Sequence, residues 1–285
     1  MPSLRKTSEL NVSVPCNKES VVIKPHSTEV KIAQRFSAAA NSYQDHNKLQ
    51  RLSAASLLSG LLVKGNLLDI GAGPGTDFSA CYPNSLTDKP SSAIFAVDIA
   101  LGMLHKLKQS YPDYHGICAD AQCLPFSDNS MDVIYSNLAL QWCADFPVAV
   151  AEMARVLRPG GECHVTLVAE GSLHQLAQLG LRMNNFSTLK ALKTAFKLDI
   201  WQHLDVQLIP MTVYFDTLKA LLYSIKGVGA SVQSARASTA VADRTPRLRG
   251  REDWQRIQAK AEALRLPEGL PLTYQIVQIR ARLNT

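Results

Sequence analysis

The chain has 285 residues, 46% hydrophobic and 19% charged, with 30 Lys and Arg against 24 Asp and Glu for a net charge of +6. That length supports one sizeable core, and the composition excludes collagenous, disulfide-dense and wholly disordered classes. No apolar run reaches the roughly 20 residues of a membrane span, and the first twenty residues lack the apolar centre of a secretory signal, which predicts a cytoplasmic protein.

In chain order, residues 1–27 are rich in Ser, Asn and Lys and aperiodic, which predicts a disordered tail. From Thr28, apolar residues recur at helical spacing: Ile32, Phe36, Ala40 and Tyr43, then Leu49, Leu52, Ala55, Leu58 and Leu62, giving two helices. Strand and helix patterns then alternate. NLLDI is a strand and TDFSACY begins a helix; AIFAVDI is a strand and LGMLHKLKQSY a helix; YHGICAD and MDVIYSNLAL are strands. PVAVAEMARVL is a helix that stops at Arg158-Pro159-Gly160-Gly161, and ECHVTLVA is the fifth strand. Helical segments run from Gly171 to about Leu198, followed by the strand VQLIPMTVYF and the helix DTLKALLYSIKG. A small, polar, basic segment over 227–250, a helix over 251–264 and a last strand, PLTYQIVQIRARL, complete the chain. Such alternation implies a parallel sheet covered on both faces. The six cysteines (16, 81, 118, 123, 143 and 163) show no paired spacing, and Cys118, Cys123 and His115 lack a second ligand pair, so reduced thiols and no metal are expected.

LLDIGAGPG puts Gly71, Gly73 and Gly75 between a strand and a helix start, where backbone N–H groups can approach a nucleotide-like ligand. The spacing is tighter than the G-x-G-x-x-G that cradles a pyrophosphate. Asp69 would repel a phosphate and welcome an ammonium. Asp98, ending the second strand, can accept both hydroxyls of a ribose, and Asp120, ending the third, can accept an adenine amino group. Three acids at successive strand ends beside a glycine turn point to a ligand made of adenosine and an amino acid.

These residues, with AVDIALGML, ADAQCLPFSDNSMDVIYSNLALQW and EMARVLRPGG, resemble the class I S-adenosylmethionine-dependent methyltransferases over residues 29–285. The resemblance implies a Rossmann-like α/β fold: a seven-stranded, mostly parallel sheet with helices on both faces and an α-helical lid, the basic segment over about 227–264. It also implies S-adenosyl-L-methionine as cofactor. Gly71, Gly73, Gly75, Asp98, Ile99 and Asp120 then line its site, with Met103 and Ala121 against the adenine. RFSAAANSYQDHNKLQRLSAASLL, SNLALQWCAD, LVAEGSLHQL, LKALLYSIKGVGAS and LPLTYQIVQIRARL are similar, more closely, to the malonyl-acyl-carrier-protein O-methyltransferases of biotin synthesis. Ala72 departs from the cysteine frequent there, CYPNSLTDKPSSAI is longer, and the tail lies outside the resemblance.

That family methylates the free carboxyl of a malonyl thioester. A malonyl carboxyl is ionised at neutral pH, since carboxyl pKa values lie near about 4, so no general base is needed, and no His/Asp or Cys/His constellation offers one. Tyr43, Gln50, Asn137, Gln141 and Trp142 are candidates for the reaction chamber, with Tyr43, Gln50 and Asn137 assigned to the cofactor and Gln141 and Trp142 to the substrate; Lys226 and Arg236 are candidates for reading the carboxylate. His46, His164, His174 and His203 are taken as structural. Between Lys226 and Arg265 stand nine Lys or Arg against four acids, a surplus suited to an acidic carrier protein and not paired with any nucleic-acid or membrane signature. A methyltransferase for another small acid or a quinone-like ring, and a non-catalytic carrier-protein or cofactor-sensing module, remain open alternatives.

Overall fold

A computed structural model describes residues 27–82, 92–181, 185–197, 199–227 and 250–285. The expected tail over 1–26 and the stretch 228–249 of the basic segment, Arg236 included, lie outside the described residues.

Among the described residues three helices precede the sheet, where the sequence suggests two: α1 (Ser27–Ala39), α2 (Tyr43–His46) and α3 (Lys48–Leu58). α3 buries Leu49, Ser53 and Leu57, one residue per turn along a single face. The strands are β1 (Leu67–Ile70), β2 (Ile94–Asp98), β3 (His115–Cys118), β4 (Met131–Asn137), β5 (Leu157–Val168), β6 (Trp201–Phe215) and β7 (Leu270–Leu283), in sheet order β3-β2-β1-β4-β5-β7-β6. β1 to β5 pair in parallel, and β7 lies antiparallel between β5 and β6. β1 is buried at all four positions, as a strand covered on both faces must be. The chain runs outward from β1 to β3 and then returns to β4, so a crevice opens over the carboxyl ends of β1 and β4, where open α/β sheets bind ligands.

The covering helices are α4 (Leu101–Ser110), α5 (Phe146–Val156), α6 (His174–Gln178), α7 (Leu189–Ala195), α8 (Leu218–Gly227) and α9 (Arg251–Glu262). α5 is started by Asp145, whose side chain accepts from Val148 N, with a proline in its first turn, and it buries five apolar residues. Arg155 near its end donates to the carbonyls of Leu124 and Phe126 and pairs with Glu152 and Asp128, which ties the loop after β3 to this helix. One core joins β4, β5 and β7 to α5 and α7; a second joins β6 and β7 to α6, α8 and α9. Among the described residues no helix is long and apolar enough to cross a membrane.

TDFSACY corrects the expectation of a helix. Its described residues form only a 3-10 turn, Ser79–Cys81, because Asp77 accepts from Ser79 N at 2.9 Å and the fully buried Phe78 packs edge-on against Tyr135. β6 also begins five residues earlier than the sequence suggests, at Trp201, with a register shift between Gln202 and Asp205 and a positive φ at His203. A bulge of that kind hides the alternation that marks a strand.

Candidate active site

The three glycines of the β1 turn all have positive φ but answer to different neighbours. A Cβ on Gly71 would lie 2.1 Å from that of Ala139, and one on Gly75 would lie 2.5 Å from the Tyr111 ring. Only Gly73 faces open space, with the Tyr43 ring 4.0 Å from where its Cβ would be. Two glycines therefore let chain pack on chain, and the middle one leaves room for a ligand.

That room is a cavity of about 780 Å³, partly open to solvent, over the carboxyl ends of β1, β2 and β3. Gly71 and Gly73, then Asp98 and Ile99, then Asp120 and Ala121 wall it in that spatial order, because β1, β2 and β3 are neighbours. Met103, Tyr43 and Asn137 complete the expected cofactor residues found in its lining. Asp98 is 9% exposed; its Oδ2 accepts from Gly73 N at 2.8 Å and its Oδ1 from Ala100 N at 2.7 Å. Burial nonetheless pushes its carboxyl up to about 6. Each oxygen keeps a lone pair for a hydroxyl donor. Asp120 accepts from Gln122 N and Gln122 Nε2, which fixes the carboxylate at the far end.

Asp69 stands just off the lining, buried beneath the turn. Its Oδ2 has no hydrogen-bond partner, and burial, then the nearby Asp98 charge, push its carboxyl well up. A buried orphan acceptor calls for a donor, and a cationic one relieves both acids together. The adenine amine, ribose hydroxyls and amino-acid ammonium of S-adenosylmethionine fit this donor demand strand by strand.

A second cavity of about 700 Å³ adjoins the first and shares four walls with it: Phe36, Tyr43, Leu138 and Trp142. Its other walls include His46, Lys48, Gln50, Gln141, Phe215 and Tyr274, and among the described residues no Asp or Glu. Lys48 holds its ammonium 5.6 Å from the centre of the Phe215 ring. Leu138, in the partition, has φ +53, and Leu173, in the far wall, has φ +63, both left-handed conformations unusual for leucine. Strain of this sort persists only where surrounding structure enforces it.

Of the expected site residues, Gly75 packs on Tyr111 rather than lining either cavity, and Gln50 lines the second cavity instead of the first. Gln141 lines the second, and Trp142 both. Lys226 is exposed on α8 and outside both linings. Sequence reasoning missed Lys48, Phe36, Leu138 and Phe215. Lys48 carried one signal, a cation opening a helix whose first turn holds no acid, against the helix dipole.

The profile of a family described as Methyltransferase domain matches residues 68–165. The biotin biosynthesis bifunctional protein BioHC of Cellvibrio japonicus is 33% identical over 257 residues, 86% of this chain and 48% of that protein, so the chain spans about half the length of this relative. The malonyl-[acyl-carrier protein] O-methyltransferase of Pseudescherichia vulneris is 35% identical over 208 residues, 70% of this chain and 79% of that one. Among solved structures, the YcgJ protein of Bacillus subtilis superposes with a TM-score of 0.53 at 18% identity over 82% of this chain and 98% of that one, a likeness of fold. With a seven-stranded sheet of this order and a glycine turn flanked by strand-end acids, the chain is an S-adenosylmethionine-dependent methyltransferase and belongs to the malonyl-[acyl-carrier protein] O-methyltransferase family.

Proposed function

We propose that this protein methylates the free carboxyl of a malonyl thioester on acyl carrier protein, giving the methyl ester as an early step of biotin synthesis. The observation that carries the reading is the second cavity: it abuts the cofactor cavity, holds Lys48, and has no acid among its described walls, so an anion is favoured there. The curated relatives' names supply the substrate class.

S-adenosylmethionine, when bound, supplies an electrophilic methyl group. Asp69, the Gly71–Gly73 backbone, Asp98 and Asp120 hold its amino-acid, ribose and adenine parts. Phe36, Tyr43, Leu138 and Trp142 line both cavities, so the boundary across which the methyl group passes is mostly apolar and aromatic surface. Among the described residues Lys48, rather than Lys226, is the cation that draws the carboxylate in; Arg236 lies outside them. Already ionised, the carboxylate needs no base, and rate comes from alignment. Of the described cations in the basic stretch, Arg256 and Arg265 are paired with Asp253 and Glu262, while Lys226, Arg251 and Lys260 are exposed and available to steer an acidic carrier protein.

The test is methyl transfer from labelled S-adenosylmethionine to malonyl-carrier protein, malonyl-coenzyme A and succinyl-carrier protein. Malonyl thioesters should yield a base-labile methyl ester and the succinyl thioester little, and Lys48→Met should raise KM. No ester on either malonyl thioester would sink the reading.

A further inference from the structure

Thr166, near the carboxyl end of β5, is fully buried, and its hydroxyl uses its whole hydrogen-bonding capacity. Its Oγ1 accepts from Ser53 Oγ at 3.1 Å and from Leu138 N at 3.2 Å, and donates to Asn137 Oδ1 at 2.8 Å. Asn137 in turn donates through Nδ2 to the Gln50 carbonyl at 3.0 Å, and Gln141 Nε2 donates to the Leu138 carbonyl at 2.6 Å. One oxygen thus binds α3, the end of β4 and β5 together. The residues it reaches wall the cavities: Asn137 the first, Gln50 and Gln141 the second, Leu138 both.

Stability alone does not call for this arrangement. Valine, nearly the same shape as threonine, suits a central strand as well, and a fully satisfied buried polar network rigidifies its surroundings and specifies one arrangement. The arrangement singled out includes Leu138 at φ +53, with its N–H also held by the Thr166 carbonyl at 3.0 Å. We propose that Thr166 is a positioning residue: through Ser53, Asn137 and Leu138 it sets the wall between the two cavities, and so the spacing across which a group passes from one to the other. This rests on the proposed methyl transfer, and its test is separable from it.

The experiment compares Thr166→Val, Thr166→Ser and Ser53→Ala with the wild type. A crystal structure of Thr166→Val, informative whatever the substrate proves to be, should show Leu138 out of the positive-φ region or the Asn137–Gln50 bond broken. With malonyl-carrier protein, kcat of Thr166→Val should fall by about tenfold to a hundredfold, the loss expected of a misplacement near 1 Å, with KM little changed. The affinity for S-adenosylhomocysteine should hold within about twofold, and Thr166→Ser should recover most of kcat because it restores the hydroxyl. An unmoved Leu138 and Asn137 in the crystal, an unchanged kcat, or S-adenosylhomocysteine affinity falling in step with kcat would each overturn the proposal. A lowered Tm with wild-type kcat would leave Thr166 a purely structural residue and overturn it equally. Should Thr166→Val not fold, Ser53→Ala removes one bond of the three and must show the same split on a smaller scale. Absence of methylation by the wild type would overturn the substrate reading instead, and the crystal structure would still decide the role of Thr166.

Discussion

Replacing Asp98 by asparagine should remove the pH-dependent penalty that this carboxyl places on the free protein and weaken its hold on the cofactor. The carboxyl is moved from its ordinary 3.8 up to about 6 by burial, against the pull of the Ala100 and Gly73 N–H groups. A shift of about two units at about 1.4 kcal/mol each gives roughly 3 kcal/mol. The native state holds this proton more tightly than the unfolded chain, so stability falls as pH rises from about 4 to about 6 and stays lower above. Asparagine resembles the protonated acid in shape and in lacking charge, but its NH2 has two donors and no acceptor, so one of the two backbone N–H groups facing Asp98 loses its partner, at about 1–3 kcal/mol. Asp98→Asn should therefore lie about 1–3 kcal/mol below the wild type near pH 4 and regain roughly 3 kcal/mol on it by pH 7.5, with relief of Asp69 adding in the same direction. Affinity moves the other way. An amide cannot accept two ribose hydroxyls while two backbone N–H groups also face it, and the loss should be about 1–3 kcal/mol, or tenfold and more. Urea unfolding at both pH values and calorimetry with S-adenosylhomocysteine measure the two effects. A variant whose stability relative to the wild type is the same at both pH values, or one that binds with unchanged affinity, would refute the reasoning.

Asp69→Asn should also flatten the pH dependence of the free protein's unfolding: its carboxyl is raised by burial with an oxygen left unpartnered, so native stability drops as pH rises, and the amide removes that charge. An unaltered pH slope would argue against it. Gly73→Ala should fold, at about 1–2 kcal/mol of left-handed strain, yet bind S-adenosylhomocysteine poorly. Gly71→Ala should melt far lower, since its methyl would meet Ala139 at 2.1 Å; equal melting temperatures for the two would contradict this account of the turn. Arg155→Lys leaves the Leu124 and Phe126 carbonyls short of donors and should cost about 1–3 kcal/mol, with faster hydrogen exchange over 120–126, the loop that carries Asp120.

What the sequence determined by itself is whatever short-range pattern encodes. The alternation of four-to-seven-residue apolar runs with helical spacing implied the parallel sheet, and LLDIGAGPG, AVDI and ICAD placed a glycine turn and two acids at strand ends, where parallel strands necessarily present them to one edge. Local signals failed where a local competitor won, as with Asp77 turning the chain that TDFSACY would have wound into a helix, and where a bulge broke the alternation of β6. Tertiary structure decided the rest. Gly75 is a glycine because Tyr111 arrives against it, and Gln50 faces the second cavity because Ser53, one turn further along α3, is bonded to Thr166 more than a hundred residues away. The second cavity itself is assembled from residues 36–50, 138–142, 168–186, 213–225 and 274, and Leu138 takes a backbone conformation that no leucine signals in sequence. A periodic pattern says which face of an element is apolar. Which other face it meets, and what space is left between them, depends on contacts between residues far apart in the chain.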